Sequence, residues 1–255
     1  MRKLAVVVLL ASAPLAAGCF DIEQTLTLER NLSGKAGFTM KVDMEPMVAF
    51  AAQMTRAMAG KEGPPTAAEL AEARKEMLES SKKSGPATDF AKDRKEFEQT
   101  LPRGVTLLDA SVKENGLAVA VDMLFGFDQL SKLAEIKMPK GDADPSDPAN
   151  PVDTPFAGLK VTDEGATILV TSPPQNPMAD AKEQMPGGDP AMAKQMLDLF
   201  KGLRVAFKIT APFAIVEQNA HRREGNTLIW EFDVNSLSKL TPAQLEAGIR
   251  VKYRK

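Results

Sequence analysis

The chain has 255 residues, 44% of them hydrophobic and 26% charged. This ordinary globular composition excludes a disordered, a collagen-like and a polytopic membrane protein. A formal net charge of −2, with one Trp and one Tyr, argues against nucleic-acid binding, which needs a basic face and aromatic rings for the bases. Cys19 is the only cysteine, so the sequence allows neither an internal disulfide nor a multi-cysteine metal site.

Residues 1–18 predict a secretory signal peptide. Two basic residues at 2–3 precede an apolar run over 4–11, and small residues follow up to Gly18. Pro14 interrupts the apolar region, which is too short for a membrane span, since a spanning helix needs about 20 apolar residues. We therefore expect an exported protein.

Cys19 directly follows these small residues, and Leu15-Ala16-Ala17-Gly18-Cys19 resembles the lipobox of bacterial lipoproteins. The resemblance implies a diacylglyceryl thioether on Cys19 and a fatty acid such as palmitate on its amino group. Two or three chains anchor a protein stably, because each buried methylene contributes about 0.8 kcal/mol. Residues 19–255 would then form a membrane-anchored domain. Residue 20 is Phe and not Asp, which by the same resemblance implies an outer-membrane location in a host with two membranes.

Alternating apolar and polar residues predict an N-terminal β-hairpin. Positions 22–32 and 38–44 alternate with a period of two, which is typical of strands with one solvated face. The small residues of 33–37 predict the turn between them. The first strand begins about two residues after Cys19, so we expect the domain to lie against the bilayer with almost no tether.

A helical region follows the hairpin. Residues 46–83 have helical periodicity that breaks at 60–65, and Thr66 and Glu69 form a capping box before the second helix. A third amphipathic helix is predicted over 88–101, packed on a sheet.

The rest of the body adds strands, short helices and two long proline-rich loops. The loops, over 137–158 and 172–190, hold ten of the 18 prolines, and the first is a candidate break between subdomains. Asn115-Gly116 is typical of a tight hairpin turn. Strands are predicted over 105–112, 117–123, 167–171, 203–209, 215–216, 228–234 and 249–253, and helices over 127–136, 189–201 and 241–244. We predict an α+β fold, with a largely antiparallel curved sheet and several helices packed on one face.

The C-terminal third carries a family resemblance. The segment over 208–220 and the segment Gly225-Asn226-Thr227-Leu228-Ile229-Trp230 resemble the LppM-type envelope lipoprotein domain. Phe213 and Ala220 stand where that family has glycine. The resemblance implies an α+β envelope domain that binds lipids or lipoglycans, and it brings no catalytic residue. Trp230 is predicted to point inward.

The sequence predicts no enzyme. His221 is the only histidine, and the polar segment over 221–224 between strands is typical of a solvated turn. The chain has no Gly-rich phosphate loop and no Gly-x-Ser-x-Gly motif. Paired carboxylates remain an alternative, although with 34 acidic residues any fold brings some together. We expect no catalytic residue, no cofactor and no metal ion.

Methionines are the strongest candidates for ligand contact. Thioethers bind Cu(I), but methionines on apolar faces are more simply core residues. Methionine side chains also line sites for varied apolar ligands, because they are flexible and polarizable. If the helix carrying Met47, Met54 and Met58 closes over the sheet, it would wall a lipid cavity, and Trp230 is a further candidate.

Two functions fit these features. The first is a non-enzymatic envelope lipoprotein that binds a lipid, a lipoglycan or another amphiphile next to the membrane. The second is a structural or assembly lipoprotein whose loops over 137–158 and 172–190 contact other envelope proteins. An apolar cavity would favour the first function, and a filled core with an exposed apolar patch would favour the second.

Overall fold

The computed structural model describes residues 20–84, 90–137, 156–173, 202–233, 236, 241, 243–244 and 247–255. Cys19 and the predicted signal peptide lie outside these residues, as do most of the two proline-rich loops and the whole helix predicted over 189–201. All element counts below refer to the described residues.

In chain order, two strands, three helices, two strands and a 3-10 helix are followed by seven strands. The strands are β1 (Phe20–Leu28), β2 (Gly34–Asp43), β3 (Val105–Asn115), β4 (Ala118–Phe127), β5 (Lys160–Asp163), β6 (Thr167–Ser172), β7 (Arg204–Thr210), β8 (Ala214–Gln218), β9 (Arg222–Glu224), β10 (Thr227–Asp233) and β11 (Ile249–Arg254). The helices are α1 (Glu45–Met58), α2 (Ala67–Ser84), α3 (Phe90–Thr100) and a 3-10 helix (Leu130–Glu135). The predicted α+β class is confirmed.

Seven strands form a mixed sheet, the large sheet, in the order β3-β4-β2-β1-β7-β10-β9. Its centre is β1, which pairs antiparallel with β2 and parallel with β7. The parallel register places Asp21 opposite Arg204, so residues that are far apart in the sequence become neighbours. All other pairs in this sheet are antiparallel.

Four strands form a second, antiparallel sheet, the small sheet, in the order β5-β6-β11-β8. Both sheets contribute their apolar faces to one buried cluster, which contains Leu26, Trp230, Val170 and Tyr253. The β-structure is therefore divided between two sheets and is not one curved sheet. Residues before and after the candidate break at 137–158, such as Phe125 and Val170, belong to this one cluster. Phe156, near the end of that segment, contacts Phe125 edge to face with ring centroids 6.3 Å apart.

Helices α1 and α2 form a hairpin with a small core of its own. Val48, Ala52 and Ala73 are buried against Leu117, which lies in the β3–β4 turn. The backbone N–H of Met44 donates to the Leu117 carbonyl at 3.1 Å. The helical hairpin therefore packs at one end of the large sheet. The condition for a lipid cavity on the sheet, that α1 closes over it, is not met.

Helix α3 covers the inner face of the large sheet, as predicted. Phe97 is 2% exposed, and its ring contacts Phe125 edge to face at a centroid distance of 6.2 Å. This aromatic contact fixes α3 against β4, because ring pairs of this geometry add to the free energy gained by burial.

The turn predicted at 33–37 is wrong. The chain turns between Glu29 and Ser33, where Leu32 has a φ of 68° and the Glu29 N–H donates to the Ser33 carbonyl at 2.8 Å. Gly34 and Gly37 lie inside β2. They are glycines because β1 passes too close for a side chain: a Cβ on Gly34 would clash with the Thr27 carbonyl oxygen.

The polar segment over 221–224 also differs from its prediction. Arg222–Glu224 forms β9, a short strand that pairs antiparallel with the start of β10, with Arg222 opposite Ile229. All three residues of β9 are exposed, so the segment is solvated as expected, but it is the edge of the large sheet and not a turn. The turn follows at Gly225, whose φ is 58°.

Candidate functional site

One end of the large sheet is where the chain enters from the predicted lipid anchor. We call this the entry end, defined by Phe20 at the start of β1, Val42 near the end of β2 and Arg204 at the start of β7. Phe20 pairs with Val42 in the ladder between β1 and β2. Cys19 directly precedes Phe20 in the sequence.

Helix α1 starts at the entry end. The carboxylate of Asp43, the last residue of β2, accepts a 2.9 Å hydrogen bond from the Glu45 backbone N–H in the first turn of α1. Pro46 stands in that first turn, where its missing N–H removes no helical hydrogen bond. The local sequence thus turns the chain from strand to helix within a few residues of Val42.

A groove with a volume of about 470 Å³ runs between α1 and α2. Its apolar residues come from both helices, and Glu45, Arg74 and Lys75 are its charged residues. The full lining consists of Glu45, Val48, Ala49, Leu70, Ala71, Arg74, Lys75 and Leu78. The groove is open to solvent.

The charged rim of the groove is accessible to solvent. Arg74 and Glu45 form an ion pair at 3.1 Å, but their side chains are 54% and 48% exposed. Such a pair contributes little to stability, because water and salt screen it. A negatively charged headgroup can therefore compete with Glu45 for Arg74, and Lys75 lies on the same rim.

The other end of the helical hairpin is closed by a polar cluster. Arg56 Nη1 donates to both carboxylate oxygens of Glu69 at 2.9 Å, and the Arg56 side chain also donates to the Glu62 carbonyl. The backbone N–H of Thr66 donates to Glu69 at 2.8 Å, which confirms the predicted capping box. This bond from Thr66, followed by the charge of Arg56, lowers the pKa of Glu69 to about 2. The cluster therefore stabilises the loop of the helical hairpin.

The structure does not bring the four predicted ligand-contact residues together. Met47 and Met54 are half-buried on α1, and Met58 is 83% exposed. Trp230 is fully buried in the main core, as predicted, and its indole Nε1 donates to Asn219 Oδ1 at 2.9 Å. Sequence reasoning placed the apolar site on a sheet, whereas the groove lies between two helices.

The outer face of the large sheet carries a charged network that was not predicted from the sequence. Arg204 donates to Glu231 at 2.6 Å, to Asp21 at 2.7 Å and to Glu23 at 3.2 Å, and Lys208 pairs with Glu23 at 2.8 Å. Partial burial alone would raise the pKa of Glu23, but the hydrogen bonds from Lys208 and Arg204 leave it below the ordinary value of 4.5. The period-two pattern does place Asp21 and Glu23 on one face. The pairing of β1 with β7 has no signal in the sequence.

This network holds strands together and offers no reactive group. The same carboxylates oppose the lowering effect of burial, so the pKa of Arg204 lies above its ordinary value. The network joins β1, β7 and β10, which lie side by side in the large sheet. We therefore regard it as a structural element.

The single histidine is exposed, beside β9. Its Nδ1 lies 3.0 Å from the Glu231 carbonyl oxygen and 3.2 Å from the Glu231 backbone nitrogen, and its ring contacts Phe232 edge to face with a centroid distance of 5.0 Å. Within the described ranges, no group of three or more His, Cys, Asp or Glu residues could hold a metal ion. Among the helices that the structure describes, none has the length and the apolar character needed to cross a membrane.

The comparisons with known proteins gave a match among solved structures only. No family model matches the sequence, and no curated protein matches it. The folded domain of LppM from Mycobacterium tuberculosis, solved by NMR, matches with 12% sequence identity and a TM-score of 0.45. The match covers 93% of this chain and 90% of that chain. At this level of similarity, function has to be argued from the residues of this chain.

Proposed function

We propose that this protein is a non-enzymatic lipoprotein of the cell envelope, held to a membrane by a lipid on Cys19, that binds an amphiphile in the groove between α1 and α2. The observation that carries the proposal is the position of the groove. Glu45 lines it, and Glu45 lies three residues after Val42, which pairs with Phe20. The groove therefore begins within about 20 Å of Cys19, a short distance from the predicted bilayer surface.

The chemistry of the groove fits an amphiphile. Ala49, Leu70 and Leu78 offer apolar surface to an acyl chain, and Arg74 and Lys75 offer positive charge to an anionic headgroup. An apolar lining with a few polar groups is the usual composition of a small-molecule site. The lipid and lipoglycan binding implied by the C-terminal resemblance is of the same chemical class.

The anchor is tested by Cys19→Ser in the full chain. We expect the variant to move from the membrane pellet to the soluble fraction, or to remain unprocessed, and to lose labelling by radioactive palmitate. A processed variant that still pellets with membranes would overturn the lipid anchor. In a host with two membranes, density-gradient separation of wild-type membranes tests the proposed outer-membrane location.

The ligand is tested by native mass spectrometry of residues 20–255, produced without the signal peptide and purified without detergent. We expect added mass that extracts into organic solvent. Ala71→Trp should remove this mass, because Ala71 is exposed and lines the groove, where a Trp side chain fills the space. Ala68→Trp is the matched control, because Ala68 is also exposed on α2 but does not line the groove.

A bare mass for the wild-type chain would contradict amphiphile binding and favour the assembly role. The assembly role has one observation in its support, the 83% exposure of Met58 at the tip of the helical hairpin. The next experiment would then crosslink envelope proteins to residues introduced in the loops over 137–158 and 172–190.

A further inference from the structure

We propose that α1 also contacts the bilayer directly, through an outer face that contains Met47, Phe50, Met54 and Met58. This inference rests on the proposed lipid anchor, because the anchor defines which surface lies next to the helix. It assigns a second membrane contact, separate from both the lipid and the groove.

Charge is confined to the opposite side of α1. At 100° per residue, Glu45 and Arg56 lie within about 20° of each other around the helix axis. Both face α2, where Glu45 pairs with Arg74 at 3.1 Å and Arg56 pairs with Glu69 at 2.9 Å. These two residues are the only charged residues of α1, so its outer face carries no charge.

The outer face is apolar along the whole helix. Met47, Met54 and Met58 lie within about 40° of one another around the axis and opposite Arg56. Met58 is 83% exposed, and the others are half-buried. In the part of the chain that the structure describes, none of the three methionines packs against either buried cluster. An apolar helix face can be buried in a membrane interface.

The entry end places this helix beside a bilayer. Phe20 pairs with Val42, and α1 begins at Glu45, so the lipid on Cys19 holds the start of α1 within about 20 Å of the membrane. The helix is about 20 Å long, so all four outer residues reach the interface when the helix axis lies parallel to the membrane. The segment over 45–84 has as many acidic as basic residues, so we expect apolar burial and not charge attraction to hold α1 there.

The experiment places a fluorophore on either side of the helical hairpin in the lipidated full chain. The thiol of Cys19 is consumed by the lipid, so Met58→Cys and Ala68→Cys each provide a single reactive thiol. Both positions are exposed and lie near the loop of the hairpin, Met58 on the outer face of α1 and Ala68 on α2. Each labelled protein is reconstituted in phosphatidylethanolamine–phosphatidylglycerol vesicles that contain a lipid with a nitroxide on its acyl chain.

We expect at least about twofold quenching of the label at position 58 and little quenching at position 68, because an interfacial helix buries its apolar face to a depth of about 5–10 Å. The quenching should change little when salt is added. Equal quenching at both positions, or at neither, would overturn the proposal. So would a label at 58 that is shielded from water but not quenched, because protein would then cover the face.

The anchor is scored separately by flotation of the same vesicles. If the protein floats and position 58 is not quenched, the second contact is wrong and the anchor stands. If the wild-type protein does not float, the proposed anchor itself is wrong.

Discussion

The indole of Trp230 and the side-chain amide of Asn219 connect the two sheets. Trp230 Nε1 donates to Asn219 Oδ1 at 2.9 Å, and the same oxygen accepts a 2.9 Å bond from the Arg250 backbone N–H. Asn219 Nδ2 donates to the Gly248 carbonyl at 2.8 Å. One amide thus satisfies a buried donor of the large sheet and fixes the start of β11 in the small sheet.

Asn219→Ala should destabilise the protein by about 2–4 kcal/mol, because it leaves the fully buried Trp230 N–H without an acceptor and removes two further bonds. Urea unfolding followed by Trp fluorescence measures the change. Glu217→Ala is the control, since its pair with Arg250 is exposed and should change the free energy of unfolding by less than about 0.5 kcal/mol. A loss below about 1 kcal/mol in the first variant would contradict the role of this bond.

Gly34→Ala and Gly116→Ala separate two roles of glycine. A Cβ at 34 would clash with the backbone carbonyl of Thr27, and backbone cannot move aside cheaply, so we expect a loss of about 2–3 kcal/mol. Gly116 has a φ of 65° and open space around it. An alanine there meets no clash, so the loss of stability is only the strain of a left-handed backbone conformation, about 1 kcal/mol. Thermal unfolding compares the two variants. Equal losses would show that the paired strands β1 and β2 tolerate a side chain at position 34.

These two glycines also show which parts of the fold the sequence predicts. Gly116 follows Asn115 in a hairpin turn, and such a turn depends on local backbone angles that residue type reveals. Position 34 must be glycine because the neighbouring strand β1 passes close to it. The residues next to Gly34 in the sequence do not reveal which strand lies beside it or how close that strand is. The period-two strands and the capping box of α2 were therefore predictable, whereas the turn at 33–37 was misplaced.

The candidate site follows the same division. The second helix was predicted from helical periodicity, and its apolar residues Leu70 and Ala73 pack against α1. Its location was not predictable, because it depends on Leu117 in a distant hairpin. The network around Arg204 was missed for the same reason, since Asp21 and Arg204 meet only through a parallel strand pair.

Arg204→Met should weaken the protein in a pH-dependent manner. The pKa of Glu23 lies below 4.5 in the folded protein, so its contribution to stability is complete above about pH 4.5 and is lost as the pH falls through the folded-state pKa. The variant leaves Asp21, Glu23 and Glu231 without their shared cation. We expect a loss of about 2 kcal/mol at pH 7 that shrinks as Glu23 is protonated.

The measurement is urea unfolding of both proteins between pH 7 and pH 3. Arg250→Met is the matched control, because Arg250 is 45% exposed in its pair with Glu217, so its effect should be small at every pH. A loss for Arg204→Met that stays constant over the whole range would point to lost packing of the arginine side chain instead of lost charge pairing.

Tyr253→Phe should leave the free energy of unfolding unchanged or raise it by up to about 1 kcal/mol. Tyr253 is 1% exposed, and its hydroxyl is the only buried side-chain polar atom in the described ranges without a hydrogen-bond partner. Burial also raises the pKa of this hydroxyl, so it is neutral at every physiological pH. Removing an unpaired hydroxyl recovers its cost of desolvation and keeps the ring, which lies 6.1 Å from Phe213 between centroids.

Trp230→Phe is the contrasting variant, because its N–H is paired and its loss should destabilise the protein. If Tyr253→Phe instead costs more than about 1 kcal/mol, the hydroxyl has a partner such as a bound water in the core.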